Sequence, residues 1–221
     1  LGMRKVRITG GEPLIRRNLE HLIEMIGATE GVEDISLTTN GSMLTADRAV
    51  SLRQAGLKRL TISLDALDDA TFKSINDVDY PASRVLDGIN NARAAGFSDI
   101  KVNAVVRRGL NEHAVLDLAK HFRHSGCIVR FIEYMDVGET NGWNLDDVIP
   151  AADLVDRIDA LYPLEAVSPN YPGEVAKRWR YRDGAGEIGF ITSVTQSFCG
   201  DCSRARLSAV GALYTCLFGT H

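Results

Sequence analysis

Five short runs rich in apolar and β-branched residues constrain this chain most. They are "KVRIT" (5–9), "ISLTT" (35–39), "RLTISL" (59–64), "IKVNAVV" (100–106) and "CIVRFIEYM" (127–135). Helical text separates them. Leu19, Leu22, Ile23 and Ile26 recur at i, i+3, i+4 and i+7, the spacing of one helix face. Thr45 reads as the N-cap of a helix through Leu52, with Gly56 as its stop. Ala66 to Ala95 is helical text that Pro81 interrupts. Asn111 reads as the N-cap of a helix with Val115, Leu118, Ala119 and Phe122 inward, and "AADLVDRIDALY" (151–162) is helical again. Strands that read as apolar nearly throughout and are joined by helices predict a parallel sheet covered on one or both faces. Strand spacing of roughly 25–40 residues suits βα units of a barrel or an open α/β sheet, with right-handed crossovers. One more strand is expected before Leu1, because "LGMRKVRIT" runs straight into a strand without an initiator Met. From residue 163 the pattern changes to short β-like runs and Gly-Ala-Gly turns. Two regions are therefore expected, 1–162 and a β-rich 163–221.

The 221 residues are 45% hydrophobic, enough for one large domain or two unequal ones. A net charge of −4 argues against a nucleic-acid groove, which shows as basic excess. No run of about 18 apolar residues exists to span a membrane as a helix. With no signal-like start, a cytoplasmic, reduced chain is expected.

Parallel α/β folds carry their functional groups at the carboxyl ends of strands. Five polar strand ends are therefore candidates: Thr9-Gly10-Gly11-Glu12, Thr38-Thr39-Asn40-Gly41, Ser63-Leu64-Asp65, Asn103 with Lys101, and Glu133-Tyr134-Met135. Gly10 and Gly11 let a ligand approach the backbone, and Glu12 offers a carboxylate to a cation such as an amino group. The bland readings are a tight turn at Gly10-Gly11, a turn at Asn40-Gly41, a helix cap at Asp65 and core filling by Met135. No phosphate-loop or dinucleotide fingerprint is present.

The strongest motif is "CGDCSRARLSAVGALYTC", a C-x2-C-x13-C array of Cys199, Cys202 and Cys216. Three thiolates with an open corner suit a [4Fe–4S] cluster with one free iron, and three-cysteine zinc with a water stays open beside it. Cys127 is a poor fourth ligand. It begins its strand, about 26 Å from the rim at ~3.3 Å per residue, and reads as a core thiol. His221 is the other candidate. Arg204 and Arg206, at i and i+2 after the second cysteine, suggest a phosphate-bearing ligand. Arg178, Arg180 and Arg182 read as a solvated strand face.

"RITGGEP", "LTTNG", "SLDAL", "KVNAVV", "RFIEYM" and "FCGDCSRARLSAVGALYTCLF", in this order, resemble the GTP 3′,8-cyclase family of molybdenum cofactor biosynthesis, a branch of the radical S-adenosylmethionine (SAM) enzymes. The resemblance covers essentially the whole chain. It implies an incomplete (β/α)6 radical-SAM-type barrel with a small β-rich C-terminal cluster-binding region. It implies an enzyme that turns GTP into 3′,8-cyclo-7,8-dihydro-GTP, on which cyclic pyranopterin monophosphate synthase then acts, and it allows a homodimer. SAM would meet Gly10, Gly11, Glu12, Ser63 and Met135. GTP would meet Arg7, Thr38, Lys101, Arg204, Ala205 and Arg206. Cys199, Cys202 and Cys216 would hold the second of two [4Fe–4S] clusters. The first belongs to a CxxxCxxC motif that the chain lacks, as it lacks the family's Gly-Gly tail, so an inactive fragment is expected. The competing readings are a non-catalytic iron–sulfur or zinc module and another radical SAM enzyme with an auxiliary cluster.

Overall fold

The computed structural model describes residues 2–137, 142–200 and 202–217. All five expected strands form: β1 Lys5–Ile8, β2 Asp34–Thr39, β3 Arg59–Ser63, β4 Ile100–Val106 and β5 Ile128–Glu133. They lie side by side in chain order, every neighbouring pair parallel. The helices α1 Leu19–Gly27, α2 Ala46–Gln54, α3 Asp69–Asn76, α4 Ala82–Ala94, α5 Ala114–Phe122 and α6 Ala151–Asp159 also match the expected text. After α6 come β6 Leu164–Val167, β7 Lys177–Tyr181 and β8 Glu187–Ile191. β8 pairs parallel with β5, β7 antiparallel with β8, and β6 antiparallel with β7. One eight-stranded sheet thus runs through the expected boundary at 162, where βα units give way to an antiparallel ladder. A separate hairpin, β9 Arg206–Leu207 and β10 Leu213–Tyr214, follows.

The parallel strands are not apolar throughout. Burial alternates strictly along β4 and β5. Ile35, Leu37, Leu60, Ile62, Val102, Ala104, Val129 and Phe131 are buried with Leu19, Ile23, Leu52, Val85 and Leu118 of the helices. Each fully buried leucine or isoleucine contributes about 1.5–3 kcal/mol. The opposite face carries Arg7, Ser36, Thr38, Arg59, Thr61, Ser63, Lys101, Asn103 and Arg130. Helices cover one face only, and the other is a polar concave surface.

Two local expectations change. Helix α5 starts at Ala114, and Asn111 caps no helix. Its side chain is 1% exposed; Nδ2 donates to the carbonyls of Val105 (2.8 Å) and Asp65 (3.0 Å), and Oδ1 accepts from Arg107 N (2.9 Å). Asp65 is buried and accepts from Val105 N at 2.7 Å, tying β3 to β4, while Asp68 caps α3 through Thr71 N. A buried carbonyl or carboxylate left unpaired costs about 1–3 kcal/mol, so these side chains are spent on strand ends. Thr45 does cap α2, accepting from Arg48 N.

Candidate functional site

The concave face has two zones. The rim, at the carboxyl ends of the strands, holds Gly10, Gly11 and Glu12 after β1, Ser63 at the end of β3, and Met135 two residues past β5. The floor holds cations nearer the strand starts. Lys101 is the second residue of β4, not a strand-end residue as the sequence suggested. It pairs in register with Thr61, which pairs with Thr38. Arg7 pairs with Ser36, Ser36 with Arg59, and Asn103 with Arg130.

Among the described residues, Arg7, Lys101 and Arg130 have no ion pair; Arg59 is paired with Asp34, Nε to Oδ1 at 3.1 Å. Burial and then the nearby Arg130 push the Lys101 ammonium down to about 8. Burial, then Arg7, pushes Arg130 down to about 10. Arg7 is lowered by desolvation and then by Arg59, although it stays exposed and solvent screens much of this. Like charges held together in a half-buried hollow are costly unless an anion joins them. Two further polar atoms on this face, Thr38 Oγ1 and Asn103 Oδ1, are buried without a hydrogen-bond partner. Cations without ion pairs and buried polar atoms without partners make this face a candidate site for a polar, anionic molecule.

A pH dependence follows. Lys101 has a folded value near 8 against an ordinary 10.5, so the unfolded chain binds more protons between those values. Stability therefore rises with pH across that window. The full difference corresponds to about 3 kcal/mol, and partial exposure reduces it to ~1–2 kcal/mol. Urea unfolding from pH 7.5 to 10.5 is expected to show this rise, and Lys101→Met to remove it; the same slope in both proteins contradicts the assignment.

At the rim, Glu12 has protein partners. Its carboxylate accepts from Thr39 Oγ1 (2.6 Å), Asn40 N (2.7 Å) and Leu14 N (2.9 Å). It clamps the loop after β1 to the end of β2. Gly10 has φ +136 and nothing near where a Cβ would stand, so the loop backbone is open to a ligand.

The thiols lie beyond the sheet. Cys199, Cys202 and Cys216 are all exposed. Cys202 N donates to the Cys199 carbonyl at 3.2 Å, closing the C-x2-C turn. The β9–β10 register pairs Arg206 with Tyr214, so the ladder ends two residues before Cys216. Arg204 Nε lies 3.3 Å from Cys202 Sγ and its guanidinium 4.8 Å from the Phe198 ring. The hydrogen bonds from Arg204 lower the Cys202 thiol towards thiolate. Arg206 is half-buried, with Nη1 unpartnered, and Ala205 is exposed between the two arginines. The donors suit an iron–sulfur cluster in kind and chain position. Among the described residues, however, no three Cys, His, Asp or Glu side chains are gathered as a metal centre. Cys127 is 5% exposed in the core, and burial raises its thiol. His221 lies outside the described residues.

Sequence reasoning missed Arg59 and Arg130. Arg130 stands alone in an apolar run and Arg59, after Lys58, opens one; the signal was a cation on the odd face of an alternating strand. Arg178 pairs with Glu187 and Arg180 with Glu165, cross-strand pairs that hold β6, β7 and β8 together.

The profile of the Radical SAM superfamily matches residues 1–122, and that of Molybdenum Cofactor Synthesis C matches 127–221. They meet in the loop before β5. A GTP 3′,8-cyclase of Acidothermus cellulolyticus is 55% identical over 98% of this chain and 60% of its own length. One of Xanthomonas axonopodis is 54% identical over 100% and 66%, and one of Staphylococcus saprophyticus 47% identical over 100% and 64%. The chain thus spans less than two thirds of these relatives. Among solved structures, a domain of a pyruvate-formate lyase-activating enzyme from Bacteroides vulgatus aligns with TM-score 0.52 at 18% identity, over 70% of this chain and 92% of that one. The [FeFe]-hydrogenase maturase HydG aligns with TM-score 0.55 at 14% identity, over 72% and 38%. These two speak for the fold alone. Among the described residues no helix is long and apolar enough to cross a membrane.

Proposed function

We propose, from the premise that this chain belongs to the radical SAM superfamily, that it serves as a GTP 3′,8-cyclase. The observation that carries this is the row of cations on the floor of the concave face, without ion pairs among the described residues, matched to the triphosphate of GTP. Relatives of that name at 45–55% identity support it.

Rim and floor divide the substrates. SAM lies along Gly10, Gly11, Ser63 and Met135, where the backbone is open, with the Glu12 clamp keeping that loop beside β2. The triphosphate reaches Arg7, Lys101 and Arg130, with Arg59 adding charge from its pair with Asp34. Arg204, the Ala205 backbone and Arg206 close on the nucleotide from the hairpin. Thr38 Oγ1 supplies a hydrogen bond that the protein leaves unused. Cys199, Cys202 and Cys216 would hold a [4Fe–4S] cluster, which would supply a Lewis-acidic iron for the purine. A separate [4Fe–4S] cluster would supply the electron that cleaves SAM to a radical able to take the C3′ hydrogen; after C3′ joins C8, the remaining radical would be quenched by one electron from the added reductant and a proton. The CxxxCxxC cysteines for that cluster are not among these 221 residues. The arginines and Lys101 hold ribose and purine in the geometry that joining C3′ to C8 requires. Cyclic pyranopterin monophosphate synthase is the partner this reading implies for the product.

The test is anaerobic turnover of GTP with SAM and a reductant by the full-length protein. A cyclised product is expected, and its absence in iron-loaded protein refutes the proposal. Stoichiometric zinc on the C-terminal thiols, with no uptake of iron and sulfide, would favour the zinc module instead. Arg204→Ala is expected to weaken GTP binding roughly tenfold with little loss of stability, because an exposed arginine adds little to the core. Equilibrium dialysis and a melting curve check both; a collapsed fold with unchanged affinity contradicts that role.

A further inference from the structure

Glu133 is the last residue of β5 and is 1% exposed, a carboxylate inside the protein. Oε1 accepts from Ala151 N (2.9 Å) and Thr195 Oγ1 (2.5 Å). Oε2 accepts from Val194 N and Thr195 N, each at 2.8 Å. Burial alone would raise its pKa, and the hydrogen bonds together outweigh burial and lower it, so it stays ionised. One side chain therefore joins the end of β5, the start of α6 and the segment after β8.

Neither end of that junction is arbitrary. Met135, a rim residue, follows Glu133 by two positions, within about 7 Å of chain. Cys199 follows Thr195 by four, within about 14 Å of chain. The chain between Thr195 and the cysteine turn forms no strand or helix; besides Glu133 it is tied by Thr192 Oγ1 donating to the Gln196 carbonyl at 2.8 Å and by an exposed bond from Lys177 of β7 to the Gln196 side chain. Of these ties, the buried one at Glu133 is the one that joins the segment directly to the end of β5, where the rim residue Met135 follows.

Resting on the cyclase reading above, we propose that Glu133 is a positioning residue. It fixes the spacing between rim and cysteine turn, and so keeps SAM cleavage coupled to attack on GTP. Misplacing reacting groups by about 1 Å costs up to about a hundredfold in rate. A radical formed with its target displaced takes a hydrogen atom from the added reductant or from the protein instead of from C3′, and leaves as 5′-deoxyadenosine without cyclised product.

The test uses full-length, iron-loaded protein. Glu133→Gln places an amide among four donors and can simply fail to fold, so Thr195→Val carries the experiment. It removes one bond to the carboxylate from an exposed, isosteric side chain, and Thr195→Ser restores the hydroxyl. In Thr195→Val the ratio of 5′-deoxyadenosine to cyclised product is expected to rise at least about threefold. Dissociation constants of GTP and SAM, each measured alone by equilibrium dialysis, should stay within about twofold of the parent. Thr195→Ser should return the ratio to the parental value. A Thr195→Val protein that melts earlier but keeps the parental ratio overturns the proposal and leaves Glu133 as structure only. A parent that cleaves SAM and never cyclises GTP refutes the cyclase reading instead, before any variant is made.

Discussion

Replacing Lys101 by methionine is expected to raise the dissociation constant for GTP at least about 30-fold while making the folded protein more stable. The two effects have opposite signs because the ammonium is costly in the free hollow and favourable against phosphate. A charge-assisted hydrogen bond is worth about 1.5–3 kcal/mol, and ~2 kcal/mol is about 30-fold in affinity. The stability gain, ~1–2 kcal/mol, comes from removing a half-buried cation held beside Arg130 and Arg59. Titration with GTP and a denaturant curve on the same preparation decide it. Lower stability, or unchanged affinity, places Lys101 outside the anion site. Arg130→Met is expected to follow the same pattern, since Arg130 is also lowered and unpaired among the described residues.

The second large effect is mechanical. A Cβ added at Gly88 on α4 would lie 2.5 Å from the Gly41 carbonyl oxygen and 3.3 Å from Leu44 Cβ. Gly41 has φ +74, and its own Cβ would lie 2.9 Å from Ile62 Cγ2. The α4 backbone thus packs directly on the turn that ends β2. That turn is tied down further by Asn91 Nδ2 donating to the Leu44 carbonyl at 3.0 Å. Gly88→Ala is expected to cost about 3 kcal/mol or more, since backbone has to move on both sides. For a chain of this size that lowers the melting temperature by about 6–12 °C. The surviving fold should bind SAM and GTP less well, because the displaced turn follows directly on β2, which carries Thr38, and its Asn40 N holds the Glu12 carboxylate at 2.7 Å. A shift under about 2 °C shows that α4 slides away freely.

Most of the fold was legible because two periodicities report it directly. Apolar residues at helical spacing gave α1 and α5, and β-branched runs gave the five parallel strands. The alternation within those strands was harder to read. "IKVNAVV" looks apolar until Lys101 and Asn103 are recognised as sharing a face, and only strand pairing brings them beside Arg130. Asn111 and Asp65 misled for a related reason. Both are common helix caps, and what decided their roles was the need of buried strand ends for partners, which sequence order does not display. The cysteine array and its two arginines were legible because they are close in sequence. Glu12 stands out in the sequence as a carboxylate after two glycines, but its bonds to Thr39, Asn40 and Leu14 depend on a loop lying beside β2.

The hairpin of β9 and β10 is held by two residue pairs and stands apart from the eight-stranded sheet. So small a unit opens at far lower free energy than the sheet does. If the thiols hold the proposed cluster, loading it or losing it to oxygen is therefore expected to be a local event, with the eight-stranded sheet kept intact and the site rechargeable in place.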